Sequence, residues 1–375
     1  VWTLPAILKK RHYKTGLVTD QPLFKGKIQG LEHSFDDYVL AGLNNPEKVT
    51  EKAVEWLSKN KGKKFFLWVY YLGPHGPYNP SLPYREDFLN DNFPKTGQLV
   101  PIADKEGIPR FNAISEVVAE ENNLKVDYYK AAYDGKIRVI DDNLGILFKY
   151  LSDQQMDKST IIVLLADHGE AQGEHNLYFR HGNSLYDEVI RVPLIIRFPG
   201  SRFNGKRIED QVQLLDVTPT VVDLLDIKDR SLTKDFEGVS LKGYLLDGAQ
   251  EHTDLVLSNW SFIWSARTPE WKLIFIDDPS IDKLQNERYK QGFREYYRDR
   301  YEFYHLTADP GELDNLAREE GKVFLRLKKE IDQHMAKAQE QTRLNEKIFK
   351  KEFIEAAKKT DETLTKELKS LGYLH

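Results

Sequence analysis

Cysteine is absent from the 375 residues, which excludes disulfides, thiolate metal sites and a cysteine nucleophile within this chain. That absence does not fix a compartment, since exported proteins also manage without cysteine. Long apolar runs are missing too. Mean hydropathy is −0.57, and no stretch approaches the roughly 20 residues of a membrane-spanning helix. Nor is there an excess of one charge: 54 Lys+Arg against 59 Asp+Glu leave −5, with a pI near 6.1. This balance speaks against a chain that coats nucleic acid or an anionic membrane. The opening Val1-Trp2-Thr3-Leu4-Pro5 has neither an initiator methionine nor a basic-then-apolar leader, so a processed or cloned N-terminus is expected. What is present, 40% hydrophobic and 12% aromatic residues, suffices for a substantial core and rules out wholesale disorder.

Along the chain, apolar periodicity predicts a short helix at Leu4–Leu8, a strand at Thr15–Thr19 and a helix over Pro46–Lys59. Phe65–Leu72 is a continuous apolar run halted by Gly73-Pro74, the pattern of a strand covered on both faces. Residues 73–123 read as long surface loops. A long helix follows over Val126–Leu151, then strands at Ile161–Ala166 and Val192–Phe198, and a capped helix start at Asp216-Val217-Thr218-Pro219. Strand–helix alternation of this kind predicts an α/β layered fold. Beyond Gly248 the pieces shorten: Leu255–Leu257, Phe262–Trp264, Trp271–Ile276 and Glu302–Leu306 predict a small antiparallel sheet. Phe324, Leu327, Ile331 and Met335 then mark an amphipathic helix. The Lys/Glu-rich stretch from Thr342 to His375 reads as a solvated helical tail docked by Ile348, Phe353, Leu364, Leu368 and Leu371. The expected organisation is a core over 1–248, a sheet subdomain with its packing helix over 249–340, and a tail over 341–375.

Ligands of open α/β sheets collect beyond the carboxyl ends of the strands. Two apolar strands here end in ion-binding groups: His75 in Gly73-Pro74-His75-Gly76-Pro77-Tyr78, and Asp167 with His168 in Ala166-Asp167-His168-Gly169-Glu170. A carboxylate beside an imidazole at a strand end suits a metal. On this local spelling alone, Asp167 as the cap of a following helix and His168 as a merely exposed residue explain the stretch equally well.

The wider pattern is more specific. Ile161–Gly200 runs through Asp167-His168-Gly169-Glu170, Gly173-Glu174-His175, Leu185-Tyr186-Asp187-Glu188 and Arg191-Val192-Pro193-Leu194. In order around it stand Thr3-Leu4-Pro5 with Tyr13-Lys14-Thr15, then His75-Gly76-Pro77-Tyr78, Asp216-Val217-Thr218-Pro219-Thr220, and Tyr304-His305-Leu306 with Asp309-Pro310-Gly311-Glu312. The chain thereby resembles the sulfatase family of the alkaline phosphatase superfamily over most of residues 1–316, with His12 where that family usually has Gly. The resemblance implies an alkaline-phosphatase-like fold: a central mixed, largely parallel sheet flanked by helices, with a smaller C-terminal antiparallel sheet and a helical tail. It implies hydrolysis of small-molecule or glycan sulfate esters. Asp167 and His168 would be two ligands of a divalent metal, Ca²⁺ first and Mn²⁺, Mg²⁺ or Zn²⁺ as alternatives. His75 and His181 would contact the sulfate or its leaving oxygen, His181 as proton donor. Glu174 and His175 would stand behind the ligands.

By the same resemblance, the formylglycine made from Cys or Ser in Cys/Ser-x-Pro-x-Arg, and an Asp-Asp pair completing the metal site, would lie upstream of Thr3. They are expected in a segment lost, cleaved or never recorded. The stretch Thr15-Gly16-Leu17-Val18-Thr19-Asp20-Gln21-Pro22-Leu23-Phe24 also departs from the family's Gly-Lys-Trp-His. Ser81-Leu82-Pro83-Tyr84-Arg85 spells Ser-x-Pro-x-Arg but sits in the loop after His75 and lacks the Leu-x-Thr-Gly that should follow. It is not taken as the nucleophile, so the chain as written is expected not to turn over sulfate esters. Two other readings remain: a phosphodiester or phosphonate hydrolase of the same superfamily, and a non-catalytic sulfatase-like binding protein.

Overall fold

The computed structural model describes residues 2–22, 31–81, 83–88, 98–100, 102, 113–114, 125–182, 184–199, 205–245, 254–283, 287–319 and 321–357. Helix α1 (Leu4–Lys10) leads through His12, a non-glycine residue at φ 63°, into β1 (Lys14–Thr19). That left-handed turn is open to histidine at a modest cost and to glycine at none. β1 pairs in parallel with β2 (Asp37–Leu40) on one edge and with β3 (Phe65–Tyr70) on the other. Between β2 and β3 lies α2 (Pro46–Lys59), whose first turn is capped by the Asn45 side chain accepting from the Lys48 N–H.

The expectation that Phe65–Leu72 is covered on both faces holds only in part, because every residue of β3 is half-buried. Phe65, Leu67 and Val69 meet Trp56 and Leu57 of α2 and Leu147 and Leu151 of α4 (Val126–Asp153). On the opposite face Phe66 stacks on Phe35 at 6.2 Å. β3 has a ladder on the β1 edge, and among the described residues none on its other edge. The next strand, β4 (Ile162–Leu165), instead pairs antiparallel with β7 (Leu194–Arg197). Ile162 still joins the cluster under α2 and α4, and Tyr70 at the end of β3 donates its hydroxyl to Asp167 at 3.1 Å. The carboxyl ends of β3 and β4 therefore meet.

Within 73–123 the described residues include one short helix, α3 (Tyr84–Phe88), preceded by an exposed Ser81; Leu82 and the continuation Leu89-Asn90-Asp91 lie outside them. Beyond β4, the short antiparallel pair β5 (Ala171–Gln172) and β6 (Tyr178–Arg180) precedes α5 (Asp187–Ile190). The predicted helix start is α6 (Val217–Leu224), but Asp216 does not cap it: its carboxylate accepts from the N–H groups of Gln213 and Val239 instead. Short helices α7 (Arg230–Thr233) and α8 (Lys242–Leu245) follow.

The C-terminal strands are β8 (Val256–Trp260), β9 (Ile263–Arg267), β10 (Trp271–Ile276) and β11 (Tyr301–His305), in the antiparallel order β11-β10-β9-β8. Helices α9 (Asp278–Ile281) and α10 (Glu287–Tyr296) link β10 to β11. One sheet face receives Phe324, Leu327 and Ile331 of α11 (Lys322–Ala357). This single helix runs through position 341; the side chains of Ile348 and Phe353, and residues Leu364, Leu368 and Leu371, lie outside the described residues. The opposite sheet face packs Ile263, Ile274 and Ile276 against Ala171, Leu177, Leu185 and Val189.

That second contact surrounds a buried ionic knot. The fully buried Lys272 ammonium lies 3.0 Å from Asp187 and 2.8 Å from Glu312, while Arg267 grips both oxygens of Asp187 at 3.0 and 2.8 Å. These cations hold the Asp187 carboxyl well below the usual carboxylate range, against the opposing effect of burial. Removing one member of a buried ion pair strands the other. Lys272→Ala is therefore expected to destabilise the protein by about 3–5 kcal/mol, and Lys272→Met combined with Glu312→Gln by clearly less. Urea unfolding of both variants measures this, and equal losses would mean that the charge pairing is not the cause.

Candidate functional site

The four residues singled out from the sequence do converge. Asp167 and His168 leave the carboxyl end of β4 in a turn pressed against α5: the Gly169 N–H donates to the Val189 carbonyl at 2.7 Å. A Cβ on Gly169 would stand 2.1 Å from the Glu188 carbonyl oxygen, so only glycine permits this approach. Asp167 does not cap a helix; one oxygen accepts from the His168 N–H at 3.0 Å and the other from Tyr70. The His168 ring stacks on His181 at 4.1 Å between centroids, and His181 meets the edge of His75 at 5.0 Å. Three imidazoles and one carboxylate from three separate segments thus share one surface.

The ring nitrogens are assigned by their partners. A carbonyl can only accept, so His168 Nδ1 donates to the Gly169 carbonyl at 2.9 Å and its neutral form carries a lone pair on Nε2. That atom lies 3.7 Å from Asp167 Oδ1. An imidazole nitrogen and a carboxylate oxygen this close together are of the chemical type that ligates a divalent cation. Among the described residues no group of three or more His, Asp or Glu completes such a site, and calcium wants about six to eight mostly oxygen ligands.

His75 Nδ1 likewise donates to the Gly76 carbonyl at 2.7 Å. Burial, reinforced by the neighbouring His181 and Lys136, pushes its pKa down to about 4, so it is neutral near pH 7. Its loop is fixed from below by the buried Lys136, whose ammonium donates to the carbonyls of His75 and Pro77 at 2.6 and 3.2 Å and to Asn44 at 3.1 Å. Burial lowers the pKa of Lys136 to about 8.

His181 follows β6 and behaves differently. Its Nδ1 lies 3.1 Å from Glu170, a carboxylate almost enclosed by protein. Burial alone would lower its pKa, but the Glu170 charge and hydrogen bond override that and raise it. Since an ionised carboxylate only accepts, Nδ1 carries the proton in this pair. Glu170, Lys136 and Tyr70 were given no part in the sequence reading. Only Glu170 had a signal, as the fourth residue of Asp-His-Gly-Glu. Glu174 and His175 have partners other than Asp167 and His168: Glu174 accepts from the Gln172 N–H at 2.6 Å. His175 stacks on Tyr186 at 3.6 Å, and Tyr296 donates to its carbonyl at 2.8 Å, which puts it in the junction with the C-terminal sheet. A concavity of about 500 Å³ lined by Arg11, Tyr13, Lys64 and Asp229 adjoins the opposite, amino ends of β1 and β3 and shares no residue with this cluster.

A parallel α/β core joined to a small antiparallel sheet, with three imidazoles and a carboxylate gathered beyond its strand ends, is the alkaline-phosphatase-like architecture. The chain superposes with a TM-score of 0.64 and 19% identity on BT4656, a structure described as bound to its substrate D-glucosamine-2-N,6-O-disulfate, covering 92% of this chain and 83% of that one. The phosphonate monoester hydrolase of Agrobacterium radiobacter gives 0.63 at 17% identity, with 90% and 80% covered. Residues 2–227 match the sulfatase family model, and residues 173–341 match the model described as N-sulphoglucosamine sulphohydrolase, C-terminal. The chain belongs to the sulfatase family. It is 28% identical over 286 residues to the multifunctional alkaline phosphatase superfamily protein PehA of Trinickia caryophylli, 72% of this chain and 54% of that protein. It is 27% identical to arylsulfatase K of Gallus gallus over 300 residues, 72% of this chain and 52% of the relative. The chain thus spans about half the length of the curated relatives it matches.

The two site histidines are expected to titrate apart. Followed by NMR of the ring protons, His75 should stay neutral until about pH 4, whereas His181 should take up its proton above the ordinary histidine value of about 6.5. Glu170→Gln should bring the His181 midpoint down, and that of His75 down by less, because Glu170 bonds His181 directly and acts on His75 only through its charge. An unshifted His181 in that variant would dissociate it from Glu170.

Proposed function

We propose that this chain forms the larger part of a metal-dependent sulfatase acting on sulfate esters, and that the ester is carried by a sugar. The observation that carries this reading is the meeting of Asp167, His168, His75 and His181 at the strand ends, in a chain of the sulfatase family. The choice of a sugar is supported by the C-terminal family match and by the glucosamine disulfate described for BT4656. A sulfate ester breaks by in-line attack at sulfur, and negative charge grows on the equatorial and leaving oxygens. Asp167 and His168 would hold a divalent cation, calcium first, whose contribution is to neutralise that charge.

The chain's own part concerns protons and placement. His181 would give a proton from Nε2 to the leaving oxygen as its bond to sulfur breaks, a role favoured by Glu170, which raises its pKa; the imidazole left behind stays held through Nδ1. His75, its loop held by Lys136, would bond the sulfate or leaving oxygen through Nε2 when that nitrogen carries a proton, since those oxygens only accept. The attacking group is proposed to be a formylglycine contributed by sequence upstream of Thr3. A phosphonate or phosphodiester hydrolase is the second reading, favoured by the likeness to PehA and to the Agrobacterium enzyme.

In a form of the protein carrying the nucleophile, His181→Ala should lower the rate on a sugar sulfate by about 10² to 10⁴-fold and on a nitrophenyl sulfate far less, because a nitrophenolate leaves without a proton. Equal losses on both esters would remove the acid role. Metal content measured on the same preparations should fall in Asp167→Ala and not in His181→Ala; unchanged occupancy in Asp167→Ala would remove the ligand assignment. A phosphonate ester turned over faster than any sulfate ester would favour the second reading.

A further inference from the structure

The β8–β9 hairpin carries three large aromatic residues within five positions, and two of them are explained by packing. Phe262 is 2% exposed and meets Phe293 edge-on at 4.5 Å, and Trp264 is 8% exposed under α11. Trp260, the last residue of β8, is 53% exposed. Its position is nonetheless fixed. It pairs with Ile263 across a two-residue turn in which Ser261 takes φ 52°, and the Phe262 carbonyl on that turn accepts from the Asp277 N–H at 2.8 Å. The ring does not project into open solvent either. It rests on Gly182: a Cβ built there would stand 2.9, 3.0 and 3.4 Å from Cζ2, Cε2 and Cη2, all in the six-membered ring. Gly182, at φ 74°, is the residue after His181, so their Cα atoms are about 3.8 Å apart.

A rigid indole is thus placed by the C-terminal sheet beside His181, the histidine proposed above as the proton donor, with half of its surface open. The π-face of an indole is electron-rich and weakly hydrated, and it attracts the C–H face of a pyranose or another aromatic ring. Because the side chain has only two rotatable bonds and its hairpin is anchored, little conformational freedom is lost when such a ring settles on it. It offers nothing comparable to the sulfate group itself, which needs cations and hydrogen-bond donors.

We infer that Trp260 is a specificity residue of this site, a platform on which the ring of the leaving alcohol stacks while its sulfate lies among His75, His168 and His181. The inference rests on the sulfate-ester reading above and adds the recognition of the ring. It is tested by binding, which requires no turnover. Affinities of inorganic sulfate, ethyl sulfate, glucosamine 6-sulfate and phenyl sulfate are measured by calorimetry with calcium present, on the wild-type chain and on Trp260→Ala and Trp260→Phe. The ring-bearing esters should bind the wild type more tightly than ethyl sulfate does. Trp260→Ala should weaken them by about ten-fold while shifting the two ringless anions by less than about two-fold, and Trp260→Phe should restore most of the loss. A selective loss for the sugar ester identifies a saccharide ring, and one for phenyl sulfate an aryl ring. If Trp260→Ala weakens all four anions alike, or none, the platform is refuted while sulfate binding still supports the site. If the wild type binds no inorganic sulfate, the reading of the site fails first and the platform with it.

Discussion

The buried ammonium of Lys272 is the constraint from which the site's geometry follows. It sits on the C-terminal sheet, yet its partners Asp187 and Glu312 come from α5 and from the loop after β11. Fixing Asp187 fixes α5, and the carbonyls of α5 are what the Gly169 turn packs against. That turn carries Asp167 and His168 on one side and Glu170 on the other. An ionic interaction remote from any substrate thereby sets where a carboxylate, a proposed metal-binding imidazole and the partner of His181 stand. A buried pair of this kind contributes little net stability compared with apolar packing, but any arrangement that separates the partners leaves a charge buried and unpaired.

The three imidazoles are equivalent in sequence and unlike in structure. His168 and His75 each donate Nδ1–H to a carbonyl of the next residue, which leaves Nε2 with a lone pair. His181 faces a carboxylate instead, and its pKa is raised where that of His75 is lowered. Burial acts on His75 and His181 in the same direction, so the difference comes from the nearest charge: Glu170 beside His181, and cations beside His75. Two groups whose environments push their pKa values apart are the ordinary basis for dividing acid and acceptor roles within one site.

The C-terminal sheet is more than a support for α11. One face packs on the core, its charged residues lock α5, and its first hairpin brings Trp260 onto Gly182. A loop-borne histidine and a strand-borne indole are adjacent because two structural layers, distant in sequence, meet there. Substrate recognition at such a seam can change by altering a hairpin while the charged cluster stays intact.

The sequence by itself determined the α/β core, the antiparallel C-terminal sheet and the places of His75, Asp167, His168 and His181, because these depend on local periodicity, strand-ending residues and short motifs. It also marked His12 as standing in a position that usually holds glycine, where the backbone indeed turns left-handed. It could not show that Asp216 ties two loops together instead of capping α6, or that His175 belongs to the junction of the sheets, since each depends on partners more than twenty or a hundred residues away. The half-open faces of β3, the grip of Lys136 on the His75 loop, the pairing of Glu170 with His181 and the exposed ring of Trp260 were likewise decided by tertiary structure. Spacing along the chain records which side chains share an element. Only the folded layers bring residues 75, 170, 181 and 260 to one surface, and burial and charge there set which nitrogen holds a proton.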